Sequence, residues 1–516
     1  MKKLPIGIQT FSKIRSENYY YIDKTSLITE LSNLGTYYFL SRPRRFGKSL
    51  FLDTIREAFL GSKELFQGLY LENNWDWSKK HPVVRIDFGS GVLKEPILLE
   101  KVILEIIQEH AKRESISLSN ETISGRFREL IIELEKKYSE KVVVLVDEYD
   151  KPILDNITNS EIAREMRDGL RNLYSVIKGA DAYIKFVFIT GVSKFSKVNL
   201  FSGLNNLKDI TLDERYATIC GYTEEDLAIF AERLEGVDRD KMKLWYNGYN
   251  FLGDSVYNPF DILLFLEQKK YKNYWFETGN PSFLTDLIQK NKYNSINLEN
   301  IKISDAGLNS FDVDSIELES LLFQTGYLTI KEKKEILGES VYTLSYPNQE
   351  VKRSLTSAIL HSLSHIGSGE TTKRKLDLYE VLSANDISML KTIFHSFFAS
   401  IPHDWYRKNQ LANYEGYYAS IFYCYFTALG LDVRAEEPSN HGQVDMTVLF
   451  ESKVYVFEFK VIEMTEQGSA LTQIKEKRYY QKHLGMEHKE IYLIGVEFSK
   501  EERNITSYEW ELLPSQ

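Results

Sequence analysis

The sequence predicts an α/β protein: a parallel sheet covered on both faces by helices, a helical region after it, and a second, smaller α/β unit near the carboxyl end. Three stretches carry that prediction. Tyr37-Tyr38-Phe39-Leu40-Ser41 is an apolar run that passes through the basic turn Arg42-Pro43-Arg44-Arg45 into Phe46-Gly47-Lys48-Ser49-Leu50, as a buried strand followed by a loop and a helix does. Val142-Val143-Val144-Leu145-Val146-Asp147-Glu148 is β-branched and ends in two carboxylates, the pattern of a parallel strand buried on both faces. Val444-Asp445-Met446-Thr447-Val448-Leu449-Phe450 and Lys453-Val454-Tyr455-Val456-Phe457-Glu458-Phe459-Lys460 are separated by Glu451-Ser452, which reads as a two-residue hairpin.

In the first stretch, loop N–H groups, Lys48 and the N-terminus of the following helix are aimed at one point, which makes a cradle for a phosphate chain. Lys48 reaches the terminal phosphates, and the Ser49 hydroxyl completes the oxygen shell of a magnesium ion. Arg42 stands where the usual phosphate loop has its first glycine, and a residue with a Cβ does not take positive φ cheaply. An ordinary strand-turn-helix with a capping serine shares this local pattern. The second stretch separates the two readings: an Asp at the end of such a strand, here Asp147, can hold Mg²⁺ through water, and Glu148 beside it can polarise the attacking water. The two motifs lie about a hundred residues apart with further αβ pattern between them.

Bulk properties narrow the classes. A chain of 516 residues suits about three or four domains. Hydrophobic residues make up 43%, ample for packed cores. Its net charge of −10 argues against general nucleic-acid affinity, so such binding has to come from a local basic surface. Cys220 and Cys424 lie far apart without Cys or His at ligand spacing, which excludes a disulfide framework or zinc finger and fits a reducing compartment. No apolar run nears the ~20 residues a membrane helix needs, so the expectation is a cytoplasmic protein that does not enter a membrane.

Taken in order, Tyr19-Tyr20-Tyr21-Ile22 reads as a short strand and Asp23-Lys24-Thr25 as the cap of a helix through Leu31. The helix after Lys48 carries apolar residues at Leu50, Phe51, Ile55, Ala58 and Phe59, with Gly61 where a C-terminal cap belongs. Val83-Val84-Arg85-Ile86-Asp87-Phe88 is the next strand, followed by helices over about 96–113 and 122–138 and, after the acidic strand, a helix over 161–178. Ile184-Lys185-Phe186-Val187-Phe188-Ile189-Thr190-Gly191 is a further strand; Thr190, polar at its carboxyl end, lies beside Asp147 if the two strands are neighbours and is then a candidate γ-phosphate sensor. A strand-ending Thr beside a turn Gly gives the same pattern. Thr223-Glu224-Glu225-Asp226 is a capping motif opening a helical region that runs to about 300. Its aromatic turns, Trp245-Tyr246-Asn247-Gly248-Tyr249 and Tyr257-Asn258-Pro259-Phe260, read as core. The runs 321–330 and 341–346 read as two strands around a lysine-rich turn, with a helix near 348–365, a small winged-helix-like arrangement. His361 and His365 have metal-pair spacing, but an amphipathic helix accounts for them. The polar, basic segment 364–375 suits a linker.

In the carboxyl-terminal hairpin, Phe450 facing Lys453 places Asp445 opposite Glu458, with Cβ atoms about 4.5–5.5 Å apart, and Lys460 falls on the same face. Two carboxylates and an ammonium among Val, Phe and Tyr are costly unless a cation or substrate compensates them. A divalent metal held by Asp445 and Glu458, with Lys460 orienting water, is what attack on a phosphodiester needs. A solvated outer face carrying an ion pair is the competing reading. Downstream, Gln473, Lys475, Lys477, Arg478, Tyr479 and Tyr480 form a basic, aromatic stretch suited to backbone phosphates and bases.

Arg42-Pro43-Arg44-Arg45-Phe46-Gly47-Lys48-Ser49, Asp147-Glu148-Tyr149-Asp150-Lys151-Pro152 and Ser202-Gly203-Leu204-Asn205-Asn206 resemble the bacterial AAA-ATPase-like family, whose members commonly join a P-loop ATPase to a C-terminal PD-(D/E)XK nuclease-superfamily domain. Asp445, Glu458-x-Lys460, Gln473 and, on a helix over 411–429, Glu415 match that superfamily's motifs. Arg42 is similar to what the family carries at its position. The resemblance implies a P-loop NTPase sheet over 1–220, a helical and winged-helix-like lid over 221–365, a helical linker over 366–405 and a restriction-endonuclease-like domain over 406–516. It further implies ATP and Mg²⁺ or Mn²⁺ as cofactors. Arg45, Gly47, Lys48, Ser49, Asp147 and Thr190 would bind nucleotide, with Ser49 and Asp147 on its metal. Glu148 would be catalytic in the first site; Asp445, Glu458, Lys460 and Gln473 would be catalytic in the second, where Asp445, Glu458 and Glu415 would hold metal. The expected activity is ATP-dependent or ATP-gated cleavage of nucleic acid, DNA before RNA; alternatives are a nucleotide-controlled switch whose nuclease fold binds without cutting, and a signal-transducing ATPase whose tail recruits partners. Defence against foreign DNA is a role such an architecture can serve, and homo-oligomer assembly is left open.

Overall fold

The computed structural model describes residues 2–194, 206–277, 298–308, 311–312, 315–364, 368–401, 415–439, 442–463, 469–484 and 490–513. It divides into two compact units, Met1–Thr278 with Ile301–Asn348, and Gly279–Asn300 with Gln349–Gln516.

In the first unit, five parallel strands, β1 (Tyr37–Ser41), β2 (Val83–Asp87), β3 (Val142–Asp147), β4 (Ile184–Gly191) and β5 (Lys208–Asp209), lie in the order β2-β3-β4-β1-β5. β1 and the first five residues of β3 are apolar or small and wholly buried, which is why the sequence shows no alternation there. Helices Lys48–Leu60, Pro96–Arg113, Ile123–Tyr138 and Ser160–Gly179 cover the faces, close to the spans read from periodicity. The parallel ladder places β4 between the strands of the two motifs, with Leu145 beside Phe188 and Leu40 beside Thr190. All five strands therefore present their carboxyl ends, and the loops that follow, along one edge.

The same unit contains a three-stranded sheet of β6 (Ile301–Ser304), β9 (Thr329–Ile336) and β10 (Glu339–Ser345), ordered β6-β10-β9, and a two-stranded ribbon of β7 (Phe311–Asp312) and β8 (Ser315–Ile316). The hairpin around a lysine-rich turn is present as β9-β10, but the expected strand over 321–325 is helical, within Leu318–Thr325, and the helix read near 348–365, Gln349–Ser364, falls in the second unit. Leu318, Leu321 and Leu322 are buried at helical spacing, and Gly326, at φ 90°, ends the helix by donating to the Phe323 carbonyl, so the strand begins only at Thr329. Tyr19-Tyr20-Tyr21-Ile22 is likewise not a strand. A single parallel bridge joins Tyr19 to Lys3, and Tyr20 turns onto Phe230 with ring centroids 4.9 Å apart. Thr223 and Asp226 form the expected reciprocal cap, the Asp226 N–H donating to Thr223 Oγ1 at 3.1 Å and the Thr223 N–H to Asp226 Oδ2 at 2.7 Å.

The second unit is built on a five-stranded mixed sheet, β11 (Asp432–Ser439), β12 (Gly442–Phe450), β13 (Lys453–Val461), β14 (Glu490–Ser499) and β15 (Asn504–Leu512), in sequence order. β11, β12 and β13 are antiparallel, β14 runs parallel to β13, and β15 antiparallel to β14. Helix Glu415–Leu429 packs one face, with Phe422 against Phe457 and Phe459 at 6.0 and 5.0 Å. On the other face Val454, Val456 and Leu493 meet Ile474 and Tyr479 of helix Ala470–Lys477 and the turn after it. The segment over 368–375, read as linker, is the start of helix Ser368–Ser383. Leu378 and Leu382 are buried, Arg374 and Lys375 are half-buried, and Arg374 pairs with Glu370 one turn away. His365 lies outside the described residues.

Candidate functional sites

The loop between β1 and helix Lys48–Leu60 is turned by two left-handed residues, Arg45 at φ 67° and Gly47 at φ 93°. Arg42 is not one of them. Its side chain runs inward instead, fully buried, with Nη1 donating to the carbonyls of Ser41 and Thr211 at 2.9 and 2.8 Å and Nη2 to those of Tyr216 and Ala217 at 3.1 and 3.4 Å. The guanidinium lies 3.9 Å from the Phe251 ring centroid, and burial pushes its pKa down to about 10. Arg42 is thus an internal strut, and the turn it was expected to obstruct is made three residues later.

Lys48 is 6% exposed and donates through Nζ to the carbonyls of Arg42 and Pro43 at 2.9 and 3.0 Å. Burial lowers its pKa, an effect opposed by the carboxylates of Glu148 and Asp147. Lys48, Ser49, Gly47, Arg45 and Glu148 line a cleft of about 520 Å³. Away from these polar groups the cleft is walled by Ile8, Ile22, Ile219, Tyr222 and Phe260. Cationic and hydroxyl groups together with apolar walls in one cleft match a phosphorylated ligand with a flat hydrophobic part. Sequence reasoning missed the apolar wall, because its residues come from two stretches about two hundred positions apart, and it assigned Phe260 to core.

Asp147 lies beneath the cleft, buried, with Oδ1 accepting from Thr190 Oγ1 at 2.8 Å and Oδ2 from Arg85 Nη2 at 3.2 Å. The structure therefore brings Asp147 and Thr190 together, with Thr190 fully buried on the acid. Glu148 takes the left-handed conformation, φ 50°, which costs a non-glycine residue on the order of 1 kcal/mol and is the kind of strain found at functional positions. Its carboxyl is raised above the ordinary range by burial, with Lys48 pulling it back. Asp150, also missed, is buried and accepts from the N–H groups of Val192 and Ser193 and from the Ser193 hydroxyl, tying the acidic loop to the end of β4. Of Ser202-Gly203-Leu204-Asn205-Asn206, only Asn206 is among the described residues.

In the second unit the hairpin register is the expected one from Phe450 opposite Lys453 to Met446 opposite Phe457; the ladder ends there, and Asp445 meets β13 through its side chain instead of as the expected cross-strand partner of Glu458. Asp445 Oδ2 accepts from the Phe459 N–H at 2.7 Å. Glu458 is buried, and Gln473 Nε2 donates to its Oε1. Gln473 reaches it because Gly495, the register partner of Glu458 on β14, lets helix Ala470–Lys477 sit on the strand: a Cβ there would lie 2.9 Å from Leu471 Cα and 3.0 Å from Ala470 C. Lys460 falls on the same face two residues along, half-buried. Tyr479, read from sequence as a surface for bases, is buried; its phenol is raised above the usual range by burial and by the charges of Glu458 and Asp445. Lys475 and Lys482 pair with Glu511 and Glu437, which removes part of the basic stretch. Glu415 opens helix Glu415–Leu429, and its side chain lies outside the described residues. Among the described residues no three His, Cys, Asp or Glu side chains converge as a ready metal cage; Mg²⁺ needs no such cage, since it is held by one or two carboxylates, water and substrate phosphates.

A cleft of this make-up at the carboxyl edge of a parallel sheet, and a paired-carboxylate hairpin under a glutamine-bearing helix, define a phosphate-loop ATPase fold joined to a nuclease-type fold. Residues 5–201 match the family model described as a predicted AAA-ATPase, and residues 413–508 match the PD-(D/E)XK nuclease superfamily; the chain belongs to the AAA-ATPase-like family and carries a C-terminal PD-(D/E)XK nuclease-superfamily domain. It is 53% identical over 515 residues, 99% of each chain, to an "Uncharacterized protein in vnfD 5'region" of Azotobacter chroococcum mcd 1. Among the described residues no helix is long and apolar enough to cross a membrane.

Proposed function

We propose that the protein is a Mg²⁺-requiring nuclease whose cleavage of DNA is gated or driven by ATP. The observation that carries it is Asp445 and Glu458 on adjacent strands of one hairpin, Asp445 accepting the Phe459 N–H next to Glu458 and Gln473 bonded to Glu458, in a chain that also builds the Lys48 cleft.

In the first site Lys48 would exchange the carbonyls of Arg42 and Pro43 for the terminal phosphates of ATP, and the loop N–H groups would hold the rest of the chain. Ser49 and Asp147, a hydroxyl and a carboxylate, are the hard-oxygen set that suits Mg²⁺. Glu148 would orient water toward the γ-phosphate. In the second site Asp445 and Glu458 would hold a divalent ion, Gln473 and the Phe459 N–H would fix their orientation, and Lys460 would position the attacking water. A bound divalent ion at either place neutralises charge on phosphoryl oxygens and acidifies water.

The test is purified protein with Mg²⁺ or Mn²⁺, with and without ATP, on single- and double-stranded DNA and RNA. Cleavage is expected to disappear in Asp445→Ala and to lose its ATP response in Lys48→Ala. Intact nucleic acid under every condition, with ATP-dependent retention of DNA on a filter, would replace cleavage by a non-cutting switch.

A further inference from the structure

We propose that Arg85 is a positioning residue that aims Asp147 at the metal ion of the bound nucleotide, holding the carboxylate from the side opposite the cleft. The inference rests on the ATP reading of the Lys48 cleft.

Arg85 lies in the middle of β2, where alternation puts it on the same face as Asp87, and Asp87 is in register with Asp147 on β3. From one pleat behind, Arg85 Nη2 donates to Asp87 Oδ2 at 3.0 Å and to Asp147 Oδ2 at 3.2 Å. Nη1 donates to Asp53 Oδ1 at 3.2 Å. Asp53 belongs to the helix that Lys48 opens; it also pairs with Arg56 at 2.9 Å and accepts the Phe11 N–H at 2.8 Å. One guanidinium therefore joins the acidic strand, its neighbour and the phosphate-loop helix.

Strand direction fixes the side of approach. Arg85 precedes Asp87 on a parallel sheet whose carboxyl edge carries the cleft, so it meets Asp147 from below and leaves the cleft-facing side to a ligand. Thr190 Oγ1 holds the other carboxylate oxygen at 2.8 Å, and with both oxygens anchored the group cannot swing. Asp53, Asp87 and Asp147 against Arg85 and Arg56 leave a net negative charge beneath the site, and Glu148 adds to it. That field favours a cation. Only a planar fork spans three carboxylates; an ammonium reaches one or two.

The test titrates a ribose-labelled fluorescent ATP analogue into full-length protein, in EDTA and across a Mg²⁺ series, for wild type, Arg85→Gln and Arg85→Lys, with circular dichroism to confirm folding. The Mg²⁺ concentration giving half of the Mg-dependent gain in affinity is expected to rise roughly 10-fold or more in both variants, the usual effect of removing a group that orients a metal ligand. Affinity in EDTA is expected to stay within about twofold of wild type, since phosphate contacts from Lys48 and the loop are untouched. If Arg85→Gln does not fold, Arg85→Lys, which keeps the charge and loses the fork, carries the same expectation. Wild-type Mg²⁺ dependence in a folded variant overturns the inference, as does a parallel loss of affinity with and without Mg²⁺, which marks a merely structural ion pair. Wild-type protein that binds no nucleotide overturns the ATP reading and this inference with it.

Discussion

Replacing Gly495 with alanine tests whether the helix above β14 sets the late acidic site. Gly495 does not have positive φ, so alanine suits its backbone and, through the unfolded chain, would gain roughly 0.4–1 kcal/mol. Against that, the new Cβ would sit 2.9 Å from Leu471 Cα and 3.0 Å from Ala470 C, with the Leu471 nitrogen closer still. These are backbone atoms, and they cannot rotate away. The helix start has to lift, at an overpacking cost of roughly 1–3 kcal/mol. The clash outweighs the entropic gain, for a net loss of roughly 1–2 kcal/mol, which lowers the melting point of a unit this size by about 2–8 °C. Activity is expected to suffer more than stability. Gln473 rides on that helix, and a shift of about 1 Å at a positioned group can cost on the order of 100-fold in rate. The assay is Mg²⁺-dependent cleavage of labelled DNA at a temperature where circular dichroism shows the variant folded. Wild-type cleavage and an unchanged melting point in Gly495→Ala would refute the role given to this contact.

Other outcomes follow from the first unit. Arg42→Gly, which restores the usual phosphate-loop glycine, is expected to destabilise by on the order of 3 kcal/mol in denaturant unfolding, because four buried carbonyls lose a donor and Phe251 loses its packing partner. Glu148→Gln is expected to bind nucleotide and lose hydrolysis. With the wild-type carboxyl raised by burial, ATPase activity should climb with pH along a limb lying above the ordinary glutamate value of about 4.3. The sign for stability is the reverse: a raised carboxyl stabilises the fold while protonated and loses that contribution as pH rises through its pKa, so Glu148→Gln should melt slightly higher than wild type at neutral pH. Trp275 Nε1 donates to the Arg44 carbonyl at 3.1 Å, so ATP binding is expected to change tryptophan emission in wild type and to leave it unchanged in Lys48→Ala and in Trp275→Phe.

Much of the sheet was legible because its signals are local. β1 and β3 are near-continuous apolar runs, β4 is broken only by Lys185 before its closing Thr190-Gly191, and the helices between them repeat every three to four residues. The late hairpin was legible for another reason: a two-residue turn fixes register, and the pairs from Phe450–Lys453 to Met446–Phe457 follow from it. What escaped notice depends on contacts distant in sequence. The apolar wall of the cleft combines residues near 8, 22, 219 and 260, and no periodicity joins them. Tyr479 sits among basic residues, so composition marked it as surface, whereas the turn after Lys477 carries it under the sheet. Leu321 to Thr325 has the apolar density of a strand, and only the cap at Gly326 and burial at helical spacing decide for a helix. Arg85 did leave a trace: a lone Arg two residues before an Asp in an otherwise apolar strand signals a half-buried charge that needs partners.

Crystals grown with Mn²⁺ and a non-hydrolysable ATP analogue, using anomalous scattering, test the proposal of two metal-dependent phosphate sites in one chain. One Mn²⁺ peak is expected beside Ser49 and Asp147 with the analogue's phosphates on Lys48, and a second between Asp445 and Glu458. Density at the first place alone, with Asp445 and Glu458 turned apart, would contradict the nuclease assignment, and an empty Lys48 cleft would contradict its control by ATP.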